Sequence, residues 1–243
     1  MGVVLFFVVV IGFPLLYTYI TIPPTCTDAV QNQGETAIDR GGPCPLLDER
    51  SLQAHAVLWA RAFRVRDGSY SVAAYIQNPN KNAGVKAARY RFALYDSQNV
   101  LVADREGTTF LMPGTITPVF ESRIDTGTRV VTRSYFEFTE PLVWERADNA
   151  ALAISVGNKQ VSNTKTPRIT ATAQNVSVAD VFDVGFTAVV FDPAGNAFAG
   201  SATALTRLNG GDSAELIFSW SDPFPAHVGR VDVLPVVSPA FPR

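Results

Sequence analysis

The sequence predicts an all-β protein: two tandem immunoglobulin-like antiparallel β-sandwich domains after one N-terminal transmembrane helix. Three observations carry that prediction. An uncharged apolar run opens the chain, short alternating segments broken by turn residues fill the remainder, and the second half of that remainder repeats the first. The organisation expected is a transmembrane anchor over residues 1–22, a juxtamembrane segment over 23–50, a first sandwich over 51–148 and a second over 149–243.

The anchor rests on the stretch from Met1 to Ile22, which holds no charged side chain and is mostly Val, Leu, Ile and Phe. About 20 such residues make a helix about 30 Å long, enough to cross the hydrocarbon core. Tyr17 and Tyr19 fall where an interfacial aromatic belt sits, and Pro23-Pro24 stop the helix. Pro14 would kink it. A cleaved signal peptide competes, but Tyr19 to Thr25 offers no small-residue cleavage pattern. A lipoprotein signal needs a small residue directly before the cysteine, and Cys26 follows Pro24 and Thr25. A buried core helix is the third alternative, although so uniformly apolar a helix is unusual in a small β protein. The first basic residue is Arg40, so flanking charge does not orient the segment.

The remainder of the 243 residues has room for two domains of about 100 residues, each able to bury a core. Hydrophobic content of 47% against 17% charged argues against disorder. Val and 16 Phe favour strands, while 17 Gly and 16 Pro supply turns. The formal charge of −2, with Arg61, Arg64, Arg89 and Arg91 interspersed among acids, is too small to steer a polyanion, so no nucleic-acid partner is expected.

Cys26 and Cys44 are the only cysteines, both just past the anchor. With Asp28, Asn32, Glu35, Asp39, Gly41 and Gly42 they resemble a four-cysteine module of secreted and surface proteins, C-x-D-G-x-x-N-x-x-E-x-x-x-D-C-G-G-x-C-x-x-C. Ala29 stands where the module has glycine, and Arg40 and Leu47 stand where it has its second and fourth cysteines. If the two missing cysteines are each other's partners, the resemblance implies that Cys26 pairs with Cys44. Such a bond closes a loop of about 19 residues, worth about 3 kcal/mol. It would also place the following domains outside the cytoplasm. Two unpaired thiols are the alternative. Asp28, Asn32, Glu35 and Asp39 also invite a cation-loop reading, since hard oxygens suit Ca²⁺. Their spacing is not that of an EF-hand, and a solvated polar loop competes with it.

Residues 54–148 overlay 151–237 with an offset of roughly 97. Tyr75-Ile-Gln-Asn78 matches Ala173-Gln-Asn175, and Tyr90 to Asp96 matches Phe186 to Asp192. Leu111-Met-Pro113-Gly114 matches Leu208-Asn-Gly210-Gly211, and Val119-Phe120 matches Ile217-Phe218. Tyr70, Val72, Ala74 and Ile76 alternate with Ser71, Ala73, Tyr75 and Gln77. Tyr90, Phe92 and Leu94 alternate with Arg89, Arg91 and Ala93, giving an apolar face and a wetter one. Asp67-Gly68 signals a hairpin, and Asp192-Pro-Ala-Gly195-Asn196 a turn between strands. Short strands punctuated every 8–12 residues suit an immunoglobulin-like sandwich without that fold's cysteines and tryptophan. Phe92-Ala-Leu94-Tyr95-Asp96 resembles the F-x-L-Y-D signature of a family of bacterial and archaeal surface domains. Asn78-Pro79-Asn80 and Pro113-Gly114 share that resemblance, and in the second copy Val190, Phe191 and Asp192 keep its outline. The resemblance implies an extracytoplasmic sandwich and supplies no catalytic residues.

No catalytic residue, metal ligand set or cofactor is assigned. His55 and His227 lie in opposite copies, with no G-x-S-x-G elbow or H-E-x-x-H pair beside them. Gly41-Gly42 and Gly210-Gly211 read as turns. Asp96 and Asp192 recur at one place, as turn-opening residues or as a repeated ligand site. Trp59, Trp144 and Trp220 are core residues or a glycan-stacking surface. Asn175-Val-Ser177 is a glycosylation sequon. The expected role is a membrane-anchored extracytoplasmic structural or interaction protein, adhesin-like or the exposed subunit of a cell-envelope assembly, with the membrane and an envelope protein as partners. The alternative is a module that binds glycan or peptide through loops at the sandwich ends. A hydrolase is the third reading, without a motif to support it.

Overall fold

The computed structural model describes residues 8–13 and 25–241. The anchor expected over residues 1–22 lies for the most part outside the described residues. Its described piece includes a π-helical turn, Val8–Gly12. Among the described residues no helix is long and apolar enough to cross a membrane. The chain divides into a small unit ending at Asp48 and a large one beginning at Glu49.

The regular structure of the large unit is antiparallel strand apart from two short 3-10 turns, Glu49–Ser51 and Ala150–Ala153. Its first half holds β1 (Ala56–Arg66), β2 (Ser69–Gln77), β3 (Ala83–Tyr95), β4 (Leu101–Leu111), β5 (Ile116–Asp125), β6 (Arg133–Phe138) and the short β7 (Glu145–Arg146). Its second half holds β8 (Ile154–Ser162), β9 (Arg168–Asn175), β10 (Val181–Phe191), β11 (Ala197–Leu208), β12 (Ser213–Ser219) and β13 (Arg230–Val236). Sheets form in the orders β1-β2-β5 and β4-β3-β6, then β8-β9-β12 and β11-β10-β13, with β7 on the start of β3. The second pair repeats the first strand for strand, which extends the sequence overlay into three dimensions.

Local chemistry sets these connections. Asp67-Gly68 joins Arg66 to its partner Ser69 in a two-residue hairpin, with Gly68 at φ 72°. The turns after β4 and β11 use the matched glycines Gly114 (φ 63°) and Gly211 (φ 80°), a conformation that a side chain disfavours. In β9 burial alternates, with Ile169, Ala171, Ala173 and Asn175 inside, as expected of a sheet with one wet face. β2 breaks that rule, since every residue from Tyr70 to Ile76 is buried. β10 does the same from Phe186 to Phe191.

The reason is a second interface. Val184, Phe186, Ala188 and Val190 face the second half's own core, with Ile169, Leu216 and Phe218 across from them. Val189 and Phe191, on the opposite face of β10, pack on Phe63, Ala73 and Tyr75 of the first half. The large unit is therefore a β-sandwich-like stack of four layers. The sheets β4-β3-β6 and β8-β9-β12 are outermost, and β1-β2-β5 lies against β11-β10-β13 in the middle. The two halves share a buried seam along their length and are not beads in series.

Candidate functional site

The small unit is built around Cys26–Cys44, a disulfide with a sulfur-to-sulfur distance of 2.09 Å. The acidic residues close to it serve the loop's own backbone. Asp39 accepts from the N–H groups of Asp28 and Ala29, both at 3.1 Å. Glu35 Oε2 accepts from the N–H groups of Asn32 and Asp39, both at 3.2 Å. Asp28 accepts from Asn32 Nδ2 at 3.0 Å and Val30 N–H at 2.9 Å, and these donors hold its carboxyl below the usual range. Asp28, Asn32, Glu35 and Asp39 thus form one network in which the carboxylates accept from N–H groups, while Asn32 Oδ1 is buried without a hydrogen-bond partner. Glu35 is only 6% exposed, and its Oε1 lies 3.0 Å from Cys44 Sγ, a contact without a proton because the sulfur is bonded. Among the described residues, Cys26, Glu35 and Cys44 are the group with metal-ligand spacing, and both sulfurs are spent in the disulfide.

In the large unit the matched residues turn out to be fasteners. Asn78 is fully buried and donates through Nδ2 to the carbonyls of Ala83 (2.7 Å) and Met112 (3.0 Å). Asn175 is also fully buried and donates to Ala179 (2.8 Å) and Leu208 (3.0 Å). Their oxygens accept from Asn80 N–H and Ser177 N–H, each at 3.0 Å. Each asparagine ties the loop leaving the second strand to the end of the fourth. The sequon at Asn175 is therefore an interior plug whose amide is unavailable to a glycan. Sequence reasoning missed this role; its one signal was the recurrence of Gln-Asn at Asn78 and Asn175.

Asp96 and Asp192 open matching turns. Asp96 accepts from the N–H groups of Gln98 (2.9 Å) and Val100 (3.0 Å), and Asp192 from that of Asn196 (2.8 Å). Those donors, Val100 first for Asp96 and Asn196 first for Asp192, lower both carboxyl pKa values. The three tryptophans do not share one surface. Trp144 is buried, Trp59 packs on Tyr75 (4.3 Å between ring centroids) at the seam, and Trp220 packs on Phe224 (5.1 Å).

His55 sits against Phe138 and Trp144, and burial lowers its pKa. It shares with Glu49 an open cleft of about 290 Å³ whose lining contains no serine, threonine or cysteine. His227 is exposed on the loop before β13. A more enclosed cleft of about 40 Å³ opens between the halves, lined from the first by Phe63, Arg64 and Ser71 and from the second by Phe198, Trp220 and Phe224. Ser71 Oγ there and Tyr75 Oη along the seam are buried without a hydrogen-bond partner. Both lie on the face of β2 that the second half covers, and burial pushes the Tyr75 hydroxyl pKa up.

No family model matches the chain, and no curated protein sequence matches it. Among solved structures it is similar in part to a β-glucuronidase of Bacteroides uniformis, at 14% identity and a TM-score of 0.20, over 72% of this chain and 22% of that one. It is similar to red sea bream transglutaminase at 11% identity and a TM-score of 0.22, over 78% of this chain and 32% of that one. It is similar to the N-terminal CBM22-1-CBM22-2 tandem domain of Paenibacillus barcinonensis Xyn10C at 7% identity and a TM-score of 0.16, over 77% of this chain and 91% of that one. The chain spans at most a third of the two enzymes' length, and likenesses at these scores carry no argument about activity.

Proposed function

We propose that the chain is a membrane-anchored extracytoplasmic interaction protein, presenting two immunoglobulin-like sandwiches as the exposed part of a cell-envelope assembly. The observation that carries this reading is the Cys26–Cys44 bond, because disulfides persist in oxidising compartments. The uncharged run from Met1 to Ile22 supplies the anchor. Pairing of first, second and fifth strands in one sheet and third, fourth and sixth in the other supports an immunoglobulin-like order in each half. The F-x-L-Y-D resemblance at Phe92 to Asp96 agrees with a surface location.

The test is topological. Intact cells are treated with an impermeant reductant, then with an impermeant maleimide. Cys26 and Cys44 should both be labelled, and the full-length chain should stay with membranes through an alkaline wash. Labelling only after lysis, or release by the wash, would refute the reading. A second reading, a ligand-binding module, is favoured by one observation: the aromatic side chains gathered in the cleft between the halves.

A further inference from the structure

We infer that the cleft between the two halves is a binding site for a small organic ammonium ion. This deepens the ligand-binding reading, and its failure leaves the envelope reading standing because the two rest on different measurements. Phe224 stands steeply against both Phe198 (5.5 Å, 75°) and Trp220 (5.1 Å, 68°), so these rings form a corner and not a flat platform. A corner of ring faces suits a rounded group, and the electron-rich faces attract a cation. The Trp220 indole N–H donates to the Gly200 carbonyl at 3.2 Å, which holds that wall in place before any ligand arrives.

The charges at the mouth agree. Asp222 lines the cleft from the same loop as Trp220 and Phe224, and among the described residues it has no ion-pair partner. Arg64, the cleft's other charged residue, is ion-paired with Asp67, so Asp222, Arg64 and Asp67 together sum to −1. The net charge offered to a ligand is therefore negative. Ser71 adds a hydroxyl that is 2% exposed, lines the cleft and lacks a hydrogen-bond partner. An unpaired buried hydroxyl is costly, and an N–H or O–H beside the ligand's cationic centre would satisfy it. Ser71 comes from the first half and the aromatic corner from the second, so the site exists only where the halves are packed.

The experiment titrates the full chain, in a non-ionic detergent, with choline while following tryptophan fluorescence. A parallel titration uses 3,3-dimethylbutan-1-ol, choline's neutral isostere with carbon in place of nitrogen. Choline should bind about tenfold more tightly than the isostere, within the range of cation–π stabilisation. Asp222→Asn, at an exposed position, should weaken choline several-fold and leave the isostere unchanged. Trp220→Phe keeps an aromatic wall and should abolish the fluorescence change, assigning it to this cleft. Equal binding of the two probes, no saturable binding of choline, an unaffected Asp222→Asn variant, or a signal that survives Trp220→Phe would each overturn the proposal.

Discussion

β3 and β10 occupy the same place in their respective halves, and their outward faces differ where β3 carries Arg89 and Arg91. Phe92 and Leu94 in β3, and Ala188 and Val190 in β10, are all fully buried in their own cores. On the opposite face Ala93 of β3 is buried like its counterpart Val189, but Arg89 and Arg91 are not. β3 turns Arg89 and Arg91 outward, where Arg89 reaches Glu140 at 3.4 Å and Arg91 reaches Asp104 at 3.1 Å. β10 turns Thr187, Val189 and Phe191 outward, and all three are buried. The fold fixes which residues look inward, whereas the chemistry of the odd positions decides whether a sheet ends the molecule or joins it to a neighbour.

The sharpest way to break that comparison is to give β10 a charge at its outward face. Val189→Asp would bury a carboxylate with no partner at the seam, and should cost about 4–5 kcal/mol. Urea unfolding of the full chain in detergent should show that loss; a loss below about 1 kcal/mol would mean the halves are not packed through this face. Phe92→Ala should cost about 3–5 kcal/mol by opening a cavity, while Arg91→Ala one position away should cost under about 1 kcal/mol. Equal, small losses in thermal melts would overturn the assigned register of β3. Asn78→Ala and Asn175→Ala should each cost about 2–3 kcal/mol, because buried carbonyls lose their donors. Similar values for the two variants would support equivalence of the halves, and a large disparity would break it. The smallest effect belongs to the disulfide loop, where Ala29 holds φ 58° at the place the resembled module fills with glycine. Ala29→Gly should stabilise that loop by about 1 kcal/mol, read as slower amide exchange between Cys26 and Cys44.

Much of one half was legible because its outer strands obey simple alternation. Arg89 and Arg91 around Phe92 leave a single plausible core face, and Asp96 and Asp192 sit where turn chemistry asks for them. The seam was not legible from β2, because Ser71, Ala73 and Tyr75 are small or amphipathic and look the same beside water as beside another sheet. The cleft was harder still, since Ser71 and Trp220 are far apart in sequence and meet only through that seam. Asn175 illustrates a different failure: asparagine in a Gln-Asn turn fits a surface loop, a sequon and a buried plug equally well. Its two carbonyl partners, Ala179 and Leu208, belong to different strand connections that no local pattern brings together.

The seam joins unlike sheets, β1-β2-β5 of one half to β11-β10-β13 of the other, where the latter is the counterpart of β4-β3-β6. A head-to-tail contact of this kind has no closing symmetry, and if repeated between molecules it grows into a fibre. The free face of β4-β3-β6 carries Arg89, Arg91, Asp104 and Glu137, and the free face of β8-β9-β12 carries Arg168, Thr170, Thr172 and Gln174. Pressing those faces together would strip water from charges that no partner awaits. Both free faces are polar, as the end-caps of a repeat array are.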